Sequence, residues 1–273
     1  MSDPRPIGVF DSGVGGLTVV RAIVDLLPNE PIRYLGDNGR FPYGPRPVEE
    51  IRRFGLELAD SLVARDVKLL VVACNSIEVA AIEDVADAHG VPVVGVVEPG
   101  ARAAIRATRN HKVGMIGTEA TVASHAYDRA VDELHADIRL RSMACPEFVD
   151  FVERGDTSSP ELLGVARGYL EPLRDEGIDT LILGCTHYPM LSGLIQLVMG
   201  DDVVLVSSAE ETAKDVYATL LSSNLLRDAD GEITHEFMTT GDPEAFRGIA
   251  HHFLGPALGG VESVAVRPVE VGA

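Results

Sequence analysis

The chain has 273 residues, 46% of them hydrophobic and 24% charged, which is enough for a substantial core and for two compact domains. A formal net charge of −19 sets the surface against nucleic acid and anionic membranes, so neither is an expected partner. Three cysteines, Cys74, Cys145 and Cys185, are too few and too oddly numbered for a disulfide scaffold, and none has structural-zinc spacing.

The N-terminal residues run from Met-Ser-Asp-Pro-Arg-Pro straight into Ile7-Gly8-Val9-Phe10, with neither the order of a signal peptide nor the length of a membrane span. A cytoplasmic protein with reduced thiols and no membrane contact is the expectation. Pro6 to Phe10 reads as a buried strand and Gly16 to Leu27 as a helix ended by Pro28. A strand over Ile32 to Leu35 follows, then an amphipathic helix over 48 to 64 with Pro47 at its start, a strand over Lys68 to Ala73, a helix from Ser76 to His89 and a strand over Val93 to Val97. Strand and helix alternate, and the strands are continuously apolar, as in a parallel sheet covered on both faces.

The second half repeats the plan. Val113-Gly114-Met115-Ile116-Gly117-Thr118 matches Ile7-Gly8-Val9-Phe10-Asp11-Ser12, and Val203 to Val206 matches Val93 to Val96. Asp66-Val67-Lys68-Leu69-Leu70-Val71-Val72-Ala73-Cys74-Asn75-Ser76 matches Gly177-Ile178-Asp179-Thr180-Leu181-Ile182-Leu183-Gly184-Cys185-Thr186-His187. Two α/β domains of one design follow, related by a pseudo-twofold axis: residues 1–98 with 209–273, and residues 99–208. The segment after Ser208, with a helix over Glu210 to Leu221, a strand over Ile233 to Met238 and a helix over Pro243 to Phe253, has no repeat partner and should return to the first domain. The residues from Gly255 onward are expected to fray.

Asp11, Ser12, Cys74, Thr118 and Cys185 all fall at carboxyl ends of strands, the usual ligand side of such sheets. Each of the paired thiols is expected just before a helix N-terminus, where free N–H groups favour a thiolate. Two cysteines in register, each followed by hydrogen-bonding residues, suggest like groups serving one site. Cys145 has no counterpart and reads as an inert small hydrophobe. His187 is two residues from Cys185 and can act as its acid–base partner. Asp11 reads equally well as the matching group for Cys74 or as a cap for the segment after Gly13.

Asp11-Ser12-Gly13-Val14-Gly15-Gly16 invites a nucleotide reading, but Thr18 stands where a dinucleotide fingerprint needs glycine and no Gly-Lys pair follows. Its N–H groups suit a small carboxylate equally well. Asn75, Ser76, Thr118 and Thr186 add neutral donors, as an amino-acid or dicarboxylate site requires. Phe41-Pro42-Tyr43-Gly44-Pro45 is a stiff turn whose Tyr43 could cover a pocket, and Glu153 reads as ordinary helix-end chemistry.

Asp11-Ser12-Gly13-Val14-Gly15-Gly16-Leu17-Thr18-Val19, Gly36-Asp37, Pro42-Tyr43-Gly44-Pro45, Ala73-Cys74-Asn75-Ser76 and Leu183-Gly184-Cys185-Thr186-His187-Tyr188-Pro189 together resemble the motifs of the glutamate racemases, in order and spacing, from about residue 7 to 255. The resemblance implies two flavodoxin-like domains with the active site at their interface. It implies interconversion of L- and D-glutamate without a cofactor, neither pyridoxal phosphate nor metal, in supply of D-glutamate for peptidoglycan. It makes Cys74 and Cys185 the proton carriers, assisted by Asp11 and His187. Asp11, Ser12, Tyr43, Gly44, Asn75, Ser76, Thr118, Thr121, Thr186 and His187 fall at the substrate, with Asp37 and Glu153 as accessory acids. It also implies a homodimer and raises DNA gyrase as a binding partner, for which no motif stands in this sequence. Ser76 replaces a common threonine, Ile77 and Glu78 replace the small residues that usually follow, and Asn38-Gly39 varies a Thr-Ala pair. An aspartate racemase of the same superfamily is the nearest alternative, and a non-catalytic module holding a small anion on the glycine loop the next.

Overall fold

A computed structural model describes residues 3–135, 137–228, 233–254 and 266–268. The first alternating stretch forms β1 (Ile7–Asp11), α1 (Leu17–Leu26), β2 (Ile32–Gly36), α2 (Val48–Val63), β3 (Leu69–Val72), α3 (Asn75–Ala88) and β4 (Val93–Val94), with a 3-10 turn over Asn38–Arg40. Next come α4 (Val97–Ala107), β5 (Lys112–Gly117), α5 (Glu119–Ala123), α6 (Ala126–Glu133), β6 (Arg139–Ala144), α7 (Glu147–Glu153), α8 (Pro160–Asp175), β7 (Thr180–Gly184), α9 (Ser192–Met199) and β8 (Val204–Val206). The chain then adds α10 (Ala209–Ser222), β9 (Glu236–Thr239), α11 (Pro243–Leu254) and β10 (Val266–Pro268).

Two compact units result. Unit 1 is Met1–Val96 with Ala209–Ala273, and unit 2 is Val97–Ser208. Unit 1 holds a parallel sheet in the order β10-β9-β2-β1-β3-β4, and unit 2 one in the order β6-β5-β7-β8. The first four strands of each unit therefore share one order, second-first-third-fourth, which is the doubly wound flavodoxin arrangement. Every residue of β1, β3 and β7 is buried, because helices cover both faces of these strands. In unit 1, α1 packs with α10 and α11, and α2 with α3; in unit 2, α4 packs with α6, and α8 with α9. Ile7, Val9, Phe10 and Leu69 to Val72 are fully enclosed, each contributing about 1.5–3 kcal/mol by leaving water.

The strand read over Val93 to Val97 stops at Val94, and Val97 already opens α4. Pro99 sits in the first turn of that helix, where a missing N–H costs nothing. β9 begins at Glu236, later than the Ile233 expected from its apolar run, and pairs with β2. The expectation for Gly255 onward lies outside the described residues except at β10, whose pairing with β9 no local pattern announced.

The two chain pieces of unit 1 meet at a buried cation. Lys68 Nζ donates to the carbonyls of Asp3 and Leu225, both at 2.8 Å, and lies 2.6 Å from Glu30 Oε2, while Glu30 Oε1 accepts the Arg227 N–H. Neither side chain is more than 2% exposed, so every charge here is paired inside the protein.

Candidate active site

In unit 1 the residues at the carboxyl ends of β1 and β3 come together. The Cys74 thiol donates to Ser12 Oγ at 3.4 Å, and Asp11 Oδ1 accepts the Gly13 N–H at 2.7 Å. Cys74 caps α3, so Asn75 and Ser76 form its first turn, and all three are almost fully buried. Burial, then the nearby Asp11 carboxylate, pushes the Cys74 thiol up to about 12, opposed by hydrogen bonds from the Ser12 side chain and the Ile77 and Ser12 backbone. Asp11 thus acts on Cys74 through its charge and accepts from the Gly13 N–H, but it does not cap α1, whose N-cap is Gly16 without a side-chain bond.

The glycine loop is held by contacts the sequence did not reveal. Tyr34 donates its hydroxyl to the Gly13 carbonyl at 2.8 Å. A Cβ on Gly36 would stand 2.2 Å from that same carbonyl oxygen, so only glycine lets β2 pass beneath the loop.

Tyr43 is 1% exposed and donates its hydroxyl to Asp37 Oδ2. Asp37 is fully buried and also accepts from Arg40 Nε and Thr240 Oγ1; Arg40 goes on to pair with Glu57. Burial and then Asp37 push the Tyr43 hydroxyl upward, which keeps it a donor. Gly44, the next residue, is half-buried.

In unit 2, Thr118 caps α5 by accepting the Thr121 N–H at 3.2 Å, and the two hydroxyls lie 3.0 Å apart. Thr186 is buried. Cys185 Sγ lies 3.8 Å from His187 Nδ1, and His187 Nε2 lies 2.7 Å from Glu153 Oε1 at the end of α7. Burial disfavours the imidazolium of His187, but its bonds to Cys185 and Glu153 outweigh this and raise it well above the ordinary range. Sulfur, imidazole and carboxylate are thus within reach of one another in sequence, with the histidine between the thiol and Glu153. Glu153 is more than helix-end chemistry.

The helix N-terminus expected directly after Cys185 is absent. A helix beginning there needs residue 189 to donate to the Cys185 carbonyl, and Pro189 has no N–H. Tyr188 donates instead at 3.1 Å, giving a 3-10 turn over Tyr188–Leu191, and α9 starts only at Ser192. A Cβ on Gly184 would stand 2.8 Å from the Ile116 carbonyl, so glycine is required just before the thiol.

Cys145 is buried at the end of β6, beyond Ala144, which pairs with Gly117 opposite Gly184 of β7. Two strand spacings, about 10 Å, separate Cys145 from Cys185, too far for a disulfide. Burial, then Cys185, raises the Cys145 thiol, which keeps it protonated. Among the described residues no group of three or more His, Cys, Asp or Glu side chains is gathered as a metal site, and no helix is long and apolar enough to cross a membrane.

Residues 7–216 match the family described as Asp/Glu/Hydantoin racemase. A glutamate racemase of Mycobacterium ulcerans is 56% identical over 266 residues, 97% of this chain and 98% of that one, and one of Mycobacterium tuberculosis is 57% identical over the same length and shares. Among solved structures, a glutamate racemase of Bacillus anthracis matches with a TM-score of 0.91 and 43% identity over 97% of both chains. Another, of Francisella tularensis, solved with D-glutamate, matches with a TM-score of 0.90 and 35% identity over 98% of both. With motif order, doubly wound sheets and near full-length identity in agreement, the chain belongs to the glutamate racemases of the Asp/Glu/Hydantoin racemase family and is an isomerase.

Proposed function

We propose that this protein interconverts L- and D-glutamate by carrying the Cα proton between two thiols, Cys74 and Cys185. The observation that supports it is the duplication itself: in each unit the third strand of a second-first-third-fourth sheet ends in a buried cysteine with an acid–base neighbour. Racemisation needs a base on one face of Cα and an acid on the other, and two like groups in like frames supply that symmetry.

In this reading Cys185 removes the proton of L-glutamate with His187 as its partner, and Cys74 returns one to the opposite face; the roles reverse for D-glutamate. Burial, then Asp11, pushes the Cys74 thiol up to about 12, which keeps a proton on it for return to the opposite face. The Cα proton of an amino acid is very weakly acidic, and the developing negative charge has to be met by fixed donors in a water-poor site. The N–H groups at the start of α3 and the hydroxyls or amide of Ser12, Asn75, Ser76, Thr118, Thr121 and Thr186 serve this end. None of the three lysines, Lys68, Lys112 and Lys214, lies in a motif that could form an imine. The physiological role that accompanies the reaction is supply of D-glutamate to the cell wall, and rescue of a bacterium that requires D-glutamate checks it.

The chemistry is tested by deuterium wash-in at Cα of each glutamate enantiomer in heavy water, read by NMR. The unaltered protein should exchange and invert both. Cys74→Ser and Cys185→Ser should each lower racemisation by about 10³-fold or more. Retained racemisation in either variant, or exchange of aspartate in place of glutamate, refutes the assignment.

A further inference from the structure

We propose that Tyr188 is a positioning residue for the Cys185 half of the reaction, locking His187 between the thiol and Glu153. The proposal rests on the two-thiol reading above and concerns how one of its halves is held in register.

Tyr188 is fully buried beside His187, in the turn that Pro189 forces out of α-helical geometry. Its hydroxyl proton is shared between two carbonyls, Cys145 at 2.8 Å and Gly117 at 3.1 Å. These carbonyls close β6 and β5, whereas Tyr188 itself follows β7, so one side chain spans the carboxyl ends of three adjacent strands. The ring meets Phe148 edge-on at 5.4 Å between centroids, and Phe148 lies on α7, the helix that ends in Glu153. Through the hydroxyl Tyr188 fixes the turn to the sheet, and through the ring it fixes the same turn to the helix that carries the carboxylate.

The two carbonyls do not need the hydroxyl for their own sake. Gly117 O also accepts the Cys145 N–H at 2.9 Å, and Cys145 O also accepts the Phe148 N–H at 3.2 Å. Removing the hydroxyl therefore orphans no buried acceptor, and a phenylalanine keeps the ring contact. What the hydroxyl adds is a fixed address for the turn. The His187–Glu153 bond of 2.7 Å and the 3.8 Å approach to sulfur depend on that address, and a displacement of about 1 Å at such a site costs up to about 10²-fold in rate.

The test is Tyr188→Phe, assayed with L- and D-glutamate carrying deuterium at Cα. Thermal unfolding should be near that of the unaltered protein, and kcat should fall about 10-fold or more. Proton transfer at Cys185 then limits both directions, so the primary isotope effect with deuterated L-glutamate rises while that with deuterated D-glutamate falls towards one. Tyr169→Phe is the control: it removes a hydroxyl from the same aromatic row, where Tyr169 donates to Glu147 on the exposed side, and should change neither isotope effect. A Tyr188→Phe protein with both isotope effects unchanged overturns the proposal, whatever its kcat. If that variant fails to fold, Phe148→Leu loosens the same ring from the helix side and decides by the same criterion. A Cys185→Ser protein that still racemises would instead sink the two-thiol reading, a result separate from either outcome at Tyr188.

Discussion

The carboxyl end of the unit 1 sheet and that of the unit 2 sheet are alike in backbone and unlike in proton chemistry. Both place a buried cysteine after the third strand. After Cys74 a helix starts at once, and burial, then the Asp11 carboxylate, pushes the thiol up to about 12. After Cys185 the proline delays the helix, and the neighbour is a histidine that burial disfavours as an imidazolium but whose bonds to Cys185 and then Glu153 raise it overall. A duplicated frame has thus kept its geometry while each copy acquired its own partner for sulfur. Because enantiomers have equal free energy, kcat/KM must be equal in the two directions, so this asymmetry can appear in the separate kcat and KM values and in which proton transfer limits the rate, but not in their ratio.

The largest effect in breaking the comparison is expected from unit 2. His187→Asn should lower kcat by about 10²-fold and Glu153→Gln by about 10-fold, both raising the isotope effect for deuterated L-glutamate above that for the D enantiomer. Equal isotope effects in His187→Asn would show that the histidine does not serve Cys185.

A smaller effect belongs to the Tyr43–Asp37–Arg40 cluster of unit 1. Tyr43→Phe removes one donor from fully buried Asp37, which keeps Arg40 and Thr240, so stability should fall by about 1–2 kcal/mol in urea unfolding with both isotope effects unchanged. A changed isotope ratio would place the Tyr43 hydroxyl in the proton path after all.

The smallest effect is a sharpening by pH. The folded Cys74 value lies above the ordinary thiol value of 9.0, so its contribution to stability is complete below about pH 9 and is lost as the pH rises towards 12. The contribution of His187, also raised on folding, is complete below the ordinary histidine value of 6.5 and fades as the pH climbs through the raised one. Unfolding free energies of Cys74→Ser measured from pH 8 to 11 should therefore decline less steeply than those of the unaltered protein. Parallel curves would mean that Cys74 is no harder to ionise in the folded protein than in the unfolded one.

Much of this was legible in the chain because repeats and strands are local patterns. Apolar runs that end at Asp11, Cys74, Thr118 and Cys185 mark the carboxyl ends of strands in both sheets. The turn after Cys185 was legible in principle, since Pro189 stands four residues beyond the carbonyl that a helix would need to bond. The partners joined over long sequence distances were not. Glu153 meets His187 across 34 residues, Tyr188 meets Cys145 across 43, and Tyr34 meets Gly13 across 21, and no local period records such pairings. Tyr43 is marked out by its motif, but the bond of its hydroxyl to buried Asp37 has no local signal.

The buried ammonium of Lys68 also has a consequence for biosynthesis. Its carbonyl partners come from Asp3 and Leu225, so the first half of unit 1 leaves the ribosome long before its closing piece exists. Unit 2 is contiguous and can complete its sheet as soon as Ser208 has emerged. At about 5–20 residues per second, the strands of residues 7–94 wait from about 7 to 29 seconds until β9 is complete, with β2 presenting an open edge to other chains until β9 covers it.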